Sequence, residues 1–229
     1  MIITIDGPVA TGKSTIAKKL AEELGYIFFD TGAMYRAFTW LAIQKNYDLN
    51  NPEDLEKLIN GFAFNIKNKK GERHYFIDQE DITQAIRAEA VTSRVSAVSA
   101  NPEIREKLVS MQRNFASGVN AVFEGRDMGT VVFPNADMKI FLTARPEVRA
   151  KRRFDELKAK FPNETQNLTL EMALEDLNRR DNTDSTRVHS PLKQAEDAIL
   201  VDTSDLNIDG VVIKILEIKD SLKAKKSLK

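Results

Sequence analysis

Eight residues near the N-terminus, Gly7-Pro-Val-Ala-Thr-Gly-Lys-Ser14, constrain the fold more than any other stretch of the chain. They satisfy G-x-x-x-x-G-K-[ST]. They follow the apolar run Ile2 to Asp6 and lead into Ile16, Ala17, Leu20, Ala21 and Leu24 at helical spacing, with Gly25 as a stop. A buried strand, a tight loop and a helix in direct succession form an anion cradle. Glycine supplies the φ freedom, and the helix start adds free N–H donors and a positive dipole end. Lys13 supplies a mobile cation for phosphates, and the Ser14 hydroxyl suits Mg²⁺. The competing reading is a chance match in a glycine-containing loop, and the strand-to-helix context weighs against it. ATP or GTP binding follows, with Gly7, Pro8, Val9, Ala10, Thr11, Gly12, Lys13, Ser14 and Thr15 as the candidate residues.

Tyr26 to Phe29 reads as a second strand ending at Asp30, and Ala33 to Lys45 as a helix burying Met34, Ala37, Phe38, Leu41 and Ala42. Strand, helix, strand, helix predicts a parallel sheet with right-handed crossovers. The pattern then changes. After a short helix over Pro52 to Gly61, Phe62 to Ile66 and His74 to Ile77 alternate at period two around Asn68-Lys-Lys-Gly71. That is a β-hairpin, and a third short strand is expected near Asp81 to Thr83. A helix from Pro102 to about Ser117 is followed by strands at Ala121 to Phe123, Met138 to Leu142 and Ala198 to Val201. Helices are expected from Pro146, from Thr169 to Arg180 with Thr169 as N-cap, and from Ile208 to Leu222. Lys223 to Lys229 reads as a frayed, solvated tail. The fold class is α/β, a P-loop NTPase-type three-layer fold with a central parallel sheet and a small antiparallel insert.

Composition removes several functions. The 34 basic and 34 acidic side chains cancel, so a general basic surface for gripping nucleic acid is not expected. Without cysteine there are no disulfides or thiolate metal sites, and His74 and His189 are too few for a histidine cluster. No run of about 18 apolar residues exists to span a membrane. The opening Met1-Ile-Ile-Thr-Ile-Asp6 is too short and wrongly flanked for a signal peptide. A soluble, cytoplasmic protein is expected.

Three further segments fall where open α/β sheets bind ligands, beyond the carboxyl ends of strands. Asp30-Thr-Gly-Ala-Met-Tyr-Arg36 leads into a helix; Thr31 could cap it, and Arg36 suits bidentate phosphate binding. In Phe123-Glu-Gly-Arg-Asp-Met-Gly-Thr130, two glycines bracket Arg126 and Asp127 on a tight turn, where a structural salt bridge is the plainer alternative. Arg179-Arg-Asp-Asn-Thr-Asp-Ser-Thr-Arg187 is expected to end a helix and enter a loop. There Arg180, Asp184 and Arg187 resemble a polar grip on sugar and phosphates. Arg149, Lys151, Arg152 and Arg153 form a basic helix face able to close over ATP.

The segments GPVATGKST at 7–15, DTGAMYR at 30–36, EGRDMGTVVFPNAD at 124–137 and RRDNTDSTRVHSPL at 179–192 closely resemble bacterial-type cytidylate kinase, of the P-loop nucleoside monophosphate kinases. AILVDTS at 198–204 is similar to the family's closing strand, and the resemblance spans nearly the whole chain. It implies one kinase domain over 1–229, with a CMP-binding insert at about 62–84 and a movable helical lid at about 150–187. Residue by residue it implies CMP contacts at Thr31, Arg36, Ser96, Arg105, Arg126, Asp127, Arg180, Asp184 and Arg187. Ser96 and Arg105 rest on SAVSANPEIRE at 96–106 alone. Ala10 and Ser14 stand where many members carry glycine; Ser14 fits the general motif, and Ala10 is expected to avoid a glycine-only conformation. Glu124 replaces a commoner Asp, leaving the carboxylate–magnesium geometry open.

The expected reaction is transfer of the γ-phosphate of ATP, with Mg²⁺, to CMP or dCMP in preference to UMP. Lys13, Arg36, Arg126 and Arg153 are the catalytic candidates, and Ser14 a candidate Mg²⁺ ligand. The partners are these small nucleotides, with no nucleic acid or membrane, and the protein is expected to be a monomer. A P-loop kinase for AMP or shikimate is the nearest rival. A nucleotide switch is a more distant one, since no N-K-x-D motif is present.

Overall fold

The computed structural model describes residues 1–69 and 72–227. In chain order its elements begin β1 (Ile2–Asp6), α1 (Lys13–Leu24), β2 (Ile27–Asp30), α2 (Thr31–Lys45) and α3 (Pro52–Asn60). There follow β3 (Phe64–Lys69), β4 (Glu72–Ile77), β5 (Glu80–Asp81), α4 (Glu89–Thr92), α5 (Val95–Ala100) and α6 (Pro102–Phe115). The chain closes with β6 (Ala121–Glu124), β7 (Met138–Thr143), α7 (Pro146–Lys160), α8 (Leu170–Thr186), β8 (Ile199–Asp202) and α9 (Ile208–Ser227). Two units result: Met1–Phe29 with Ala116–Lys229, and Asp30–Phe115.

The first unit holds a five-stranded sheet in the order β2-β6-β1-β7-β8. Strand β1 runs parallel to both β6 and β7, with Ile5 opposite Glu124 on one side and Ile140 on the other. A central parallel strand is covered on both faces, which is why Ile3, Thr4 and Ile5 are all fully buried rather than alternating. Ile16, Ala17, Leu20 and Ala21 of α1 and Val211, Val212 and Ile215 of α9 complete this core. The register brings β1 and β6 to their carboxyl ends side by side at Asp6 and Glu124. Both strands therefore discharge into loops at the same edge.

The second unit surrounds α2. Met34, Phe38 and Leu41 meet Ile104 and Leu108 of α6 and the antiparallel sheet β3-β4-β5. Stacked and tilted rings run from Phe38 to Phe62 at 4.9 Å, Phe62 to Phe64 at 5.8 Å and Phe64 to Tyr75 at 5.9 Å.

Several expected boundaries move. Asn68 and Lys69 belong to β3 rather than to the hairpin turn, and the turn residues Lys70 and Gly71 lie outside the described residues. Strand β5 ends at Asp81; Thr83 joins the ladder by its side chain instead, its hydroxyl accepting from the Tyr75 N–H at 2.9 Å. Helix α8 continues to Thr186, and α9 to Ser227, with Leu228 and Lys229 outside the described residues. Among the described residues no helix is long and apolar enough to cross a membrane.

Phe38 is fully buried at the centre of the second unit. Phe38→Ala should lower unfolding stability by about 3–5 kcal/mol, read as a lower urea midpoint at an unchanged slope.

Candidate active site

The loop from Gly7 to Gly12 is held by its own chemistry before any ligand is considered. Gly7 has φ 148°, and a Cβ there would lie 2.2 Å from the Leu142 carbonyl oxygen, so only glycine fits. Gly12, at φ 87°, turns the chain into α1. Ala10 also sits in the left-handed region, at φ 61°. The expectation that it avoids a glycine-type conformation is therefore corrected.

Lys13 opens α1 and is buried, its ammonium donating to the Pro8 carbonyl at 2.6 Å. Burial and the neighbouring Arg126 push its pKa down to about 7, opposed by Glu124, Asp6 and Asp181. Ser14 donates from its hydroxyl to Glu124 Oε1 at 2.7 Å, joining the first turn of α1 to the end of β6.

Beyond β6, Asp6 organises the segment that carries Arg126 and Asp127. Its two carboxylate oxygens accept from the N–H groups of Met128 at 2.9 Å and Gly129 at 2.7 Å. Those residues begin a single π-helical turn, Met128–Val132. Burial raises the Asp6 pKa to about 6 despite these two bonds. Sequence reasoning did not single out Asp6, although an acid closing a buried strand ahead of a phosphate loop is a visible signal.

Arg126 donates from Nε to Asp184 Oδ2 at 2.8 Å. Arg187 lies 3.8 Å from Asp127 and 4.0 Å from Asp184, and its Nε donates to the Ser190 carbonyl at 2.6 Å. The expected loop begins later than Arg180: α8 runs to Thr186, and Arg187 follows it in extended backbone. Thr183, Ser185 and Thr186 donate back to the carbonyls of Arg179, Asp181 and Asn182, which satisfies their hydroxyls within the helix. Arg180 and Asp184 thus share one face at a spacing of four, and Arg187 follows just past the helix end. Burial, then Arg126 and Arg153, lower the Arg180 pKa, so these three guanidinium groups are close enough to repel.

The basic stretch on α7 divides. Arg153 joins the cationic cluster, its Nη1 3.2 Å from Glu156. Arg149 is buried and donates to the Val9 carbonyl at 3.2 Å, while Arg152 is tied to Thr203 at 2.9 and 2.7 Å. Lys151 points to Asp155 on the exposed side. A second residue the sequence did not flag, Asp181, pairs with Arg149 and accepts from the Val9 N–H at 3.0 Å.

The second unit holds the remaining candidates. Asp30, not Thr31, caps α2: its Oδ1 accepts from the Ala33 N–H at 2.9 Å, and its Oδ2 takes Arg36 at 2.8 Å. Thr31 is buried in the first turn. Gly32 leaves room for this pair, since a Cβ there would lie 3.0 Å from Arg36 Nη1. Arg105 is buried on α6, its guanidinium 5.4 Å from the Tyr35 ring centroid and donating to the Ser99 carbonyl at 3.0 Å. Ser96 is half-buried on α5, three residues before Ser99.

Among the described residues no group of three or more His, Cys, Asp or Glu side chains is set to hold a metal. The Ser14–Glu124 pair nevertheless offers two hard oxygen donors side by side. That suits an ion which takes few protein ligands and completes its shell with phosphates and water.

A family model described as cytidylate kinase matches residues 3–221. Cytidylate kinase of Protochlamydia amoebophila (strain UWE25) is 64 % identical over 226 residues, covering 99 % of each chain. Cytidylate kinase of Geobacillus sp. (strain WCH70) is 46 % identical over 217 residues, covering 94 % of this chain and 95 % of the relative. Shikimate kinase from Bacteroides thetaiotaomicron superposes with a TM-score of 0.51 at 14 % identity, over 96 % of this chain and 98 % of that one, a likeness of fold alone. With a family match over nearly its full length, on a five-stranded parallel sheet whose phosphate loop ends in a buried lysine, the chain belongs to the cytidylate kinase family.

Proposed function

We propose that this chain transfers the γ-phosphate of ATP to CMP or dCMP. The observation that carries the reading is the cluster of Lys13, Arg126, Arg153 and Arg180 at the carboxyl edge of the parallel sheet, in a member of this family. Arg126 and Arg153 both depress the Arg180 pKa and Arg126 that of Lys13, and a bound polyphosphate would relieve that repulsion.

ATP takes the loop 7–15, its phosphates meeting loop N–H groups and Lys13. Ser14 and Glu124 are the residues that would hold Mg²⁺, and the ion would supply neutralisation of charge on the phosphates. The CMP contacts are those the family resemblance implies: Thr31, Arg36, Ser96, Arg105, Arg126, Asp127, Arg180, Asp184 and Arg187. An oxygen of the CMP phosphate attacks the γ-phosphorus in line, the bond to the β–γ bridging oxygen breaks, and ADP leaves. The attacking oxygen is already anionic near neutral pH, so no strong general base is required. Catalysis is positioning and charge stabilisation. Asp127 accepts from the exocyclic amine of cytosine, which uracil lacks, and Asp184 from a ribose hydroxyl. Helices α7 and α8, spanning the expected lid, cover the phosphates from water.

A coupled ADP-release assay with CMP, dCMP, UMP, AMP and shikimate as acceptors should show turnover with the first two and little with the others. Arg126→Met should lower kcat by about 10²–10³. Asp127→Asn should lower CMP kcat/KM roughly ten- to hundred-fold; full CMP turnover and preference in that variant would refute the assignment to Asp127.

The lowered Lys13 pKa has its own signature. At about pH 8 the unliganded amine is mostly neutral, and bound polyphosphate raises its pKa again, so ATP binding takes up on the order of one proton. Uptake should shrink towards about pH 6, where Lys13 is already charged. Calorimetric titration in buffers of differing ionisation enthalpy measures this, and Lys13→Met should abolish it.

A further inference from the structure

Two observations about the phosphate loop belong together. Ala10 sits at φ 61°, a conformation unfavourable for a residue that bears a side chain. Immediately before it, the backbone of Val9 is held on both sides: Asp181 Oδ1 accepts from its N–H at 3.0 Å, and Arg149 Nη1 donates to its carbonyl at 3.2 Å. Arg149 and Asp181 also pair with each other, so each orients its partner. Val9 and Ala10 pack against Ala150 of α7 and Leu174 and Leu177 of α8.

The φ angle of Ala10 is the rotation between the Val9–Ala10 peptide and the rest of Ala10. With the Val9 carbonyl pinned by Arg149 and the Ala10 side chain packed against α8, that rotation has nowhere to relax. A strained backbone angle persists only where its surroundings over-determine it, and such angles gather at ligand sites. Here the surroundings are two charged side chains from two helices.

We propose that Arg149 and Asp181 are positioning residues of the nucleotide site. Touching no reacting atom, they hold the Val9 peptide so that Ala10 stays left-handed and the loop N–H groups stay aimed at the triphosphate. Helices α7 and α8 are then part of the cradle as well as a cover for it. The inference rests on the ATP half of the proposed function and is independent of which acceptor is used.

The test is a cycle read as ATP affinity, by calorimetric titration of Mg-ATP without acceptor, on Arg149→Met, Ala10→Gly and the double variant. Arg149→Met keeps the apolar stem and should weaken ATP binding roughly ten- to hundred-fold, as expected for a lost hydrogen bond from a charged group. In steady-state assays the loss should appear as a higher KM for ATP with a much smaller fall in kcat. Glycine at position 10 holds the left-handed angle without strain. Ala10→Gly should therefore recover affinity in the Arg149→Met background by about five-fold more than it changes the parent. A pair that only staples α7 to α8 would give no such rescue. Equal effects of Ala10→Gly in both backgrounds, or unchanged ATP affinity in Arg149→Met, overturn the proposal. If Arg149→Met loses its circular dichroism signal, the same cycle on Asp181→Asn decides. A parent protein that binds ATP but phosphorylates no CMP would overturn the acceptor assignment and leave this inference standing.

Discussion

Lys13 carries its charge where little water reaches it, 5 % exposed, next to Arg126, and the arrangement around it follows from that cost. An ammonium group in such a place would lose its proton or be expelled without anions nearby. Glu124, Asp6 and Asp181 provide them, each from a different element: the ends of β6 and β1, and the middle of α8. Partial compensation is what a binding site requires. Full pairing would leave a polyphosphate nothing to gain; burial, then Arg126, hold the Lys13 pKa down against these acids, and a bound polyphosphate would raise it.

The sheet explains how acids so far apart in sequence reach one lysine. Parallel strands all present their carboxyl ends at one edge, and the β1–β6 register sets Asp6 and Glu124 at adjacent strand ends. Each acid then does a second task with the same oxygens. Glu124 takes the Ser14 hydroxyl, and Asp6 fastens the π-helical turn after Asp127. Because Asp6 spends both oxygens on backbone N–H groups, the Arg126–Asp127 segment is positioned by main chain, not by a mobile side chain. Gly129 permits this, since a Cβ there would lie 3.2 Å from Thr4 Oγ1 and 3.4 Å from Asp6 Oδ2.

What could be read from sequence follows the range of the interactions involved. The phosphate loop, the first strand and α1 were legible because glycine, an apolar run and helical spacing are local signals, and the cytidylate kinase resemblance rests on such contiguous segments. The end of α8 was not: Asn182, Thr183, Ser185 and Thr186 have propensities that argue for a loop, yet the helix runs through them to Thr186, with Asp184 paired to the distant Arg126. Asp30 and Thr31 are both good caps, and the choice between them depends on Asp30 also receiving Arg36. Ala10 looked ordinary because nothing adjacent in sequence imposes its angle. The residues that do, Arg149 and Asp181, are more than a hundred positions away.

Helix α8 shows why those distant residues matter to both halves of the chemistry. Leu174, Leu177 and Asp181, spaced three and four apart, form one stripe, and it meets Val9 and Ala10 of the phosphate loop. Arg180 and Asp184 form the neighbouring stripe, and it meets Arg126. A rigid helix cannot rotate one stripe without the other, so the setting of the loop and the setting of the arginines vary together. A shift that loosened Asp181 from Val9 would also carry Asp184 away from Arg126. The contact that sets the phosphate loop and the contact that holds Arg126 are in this way mechanically one part, a property of α8 rather than of either contact alone.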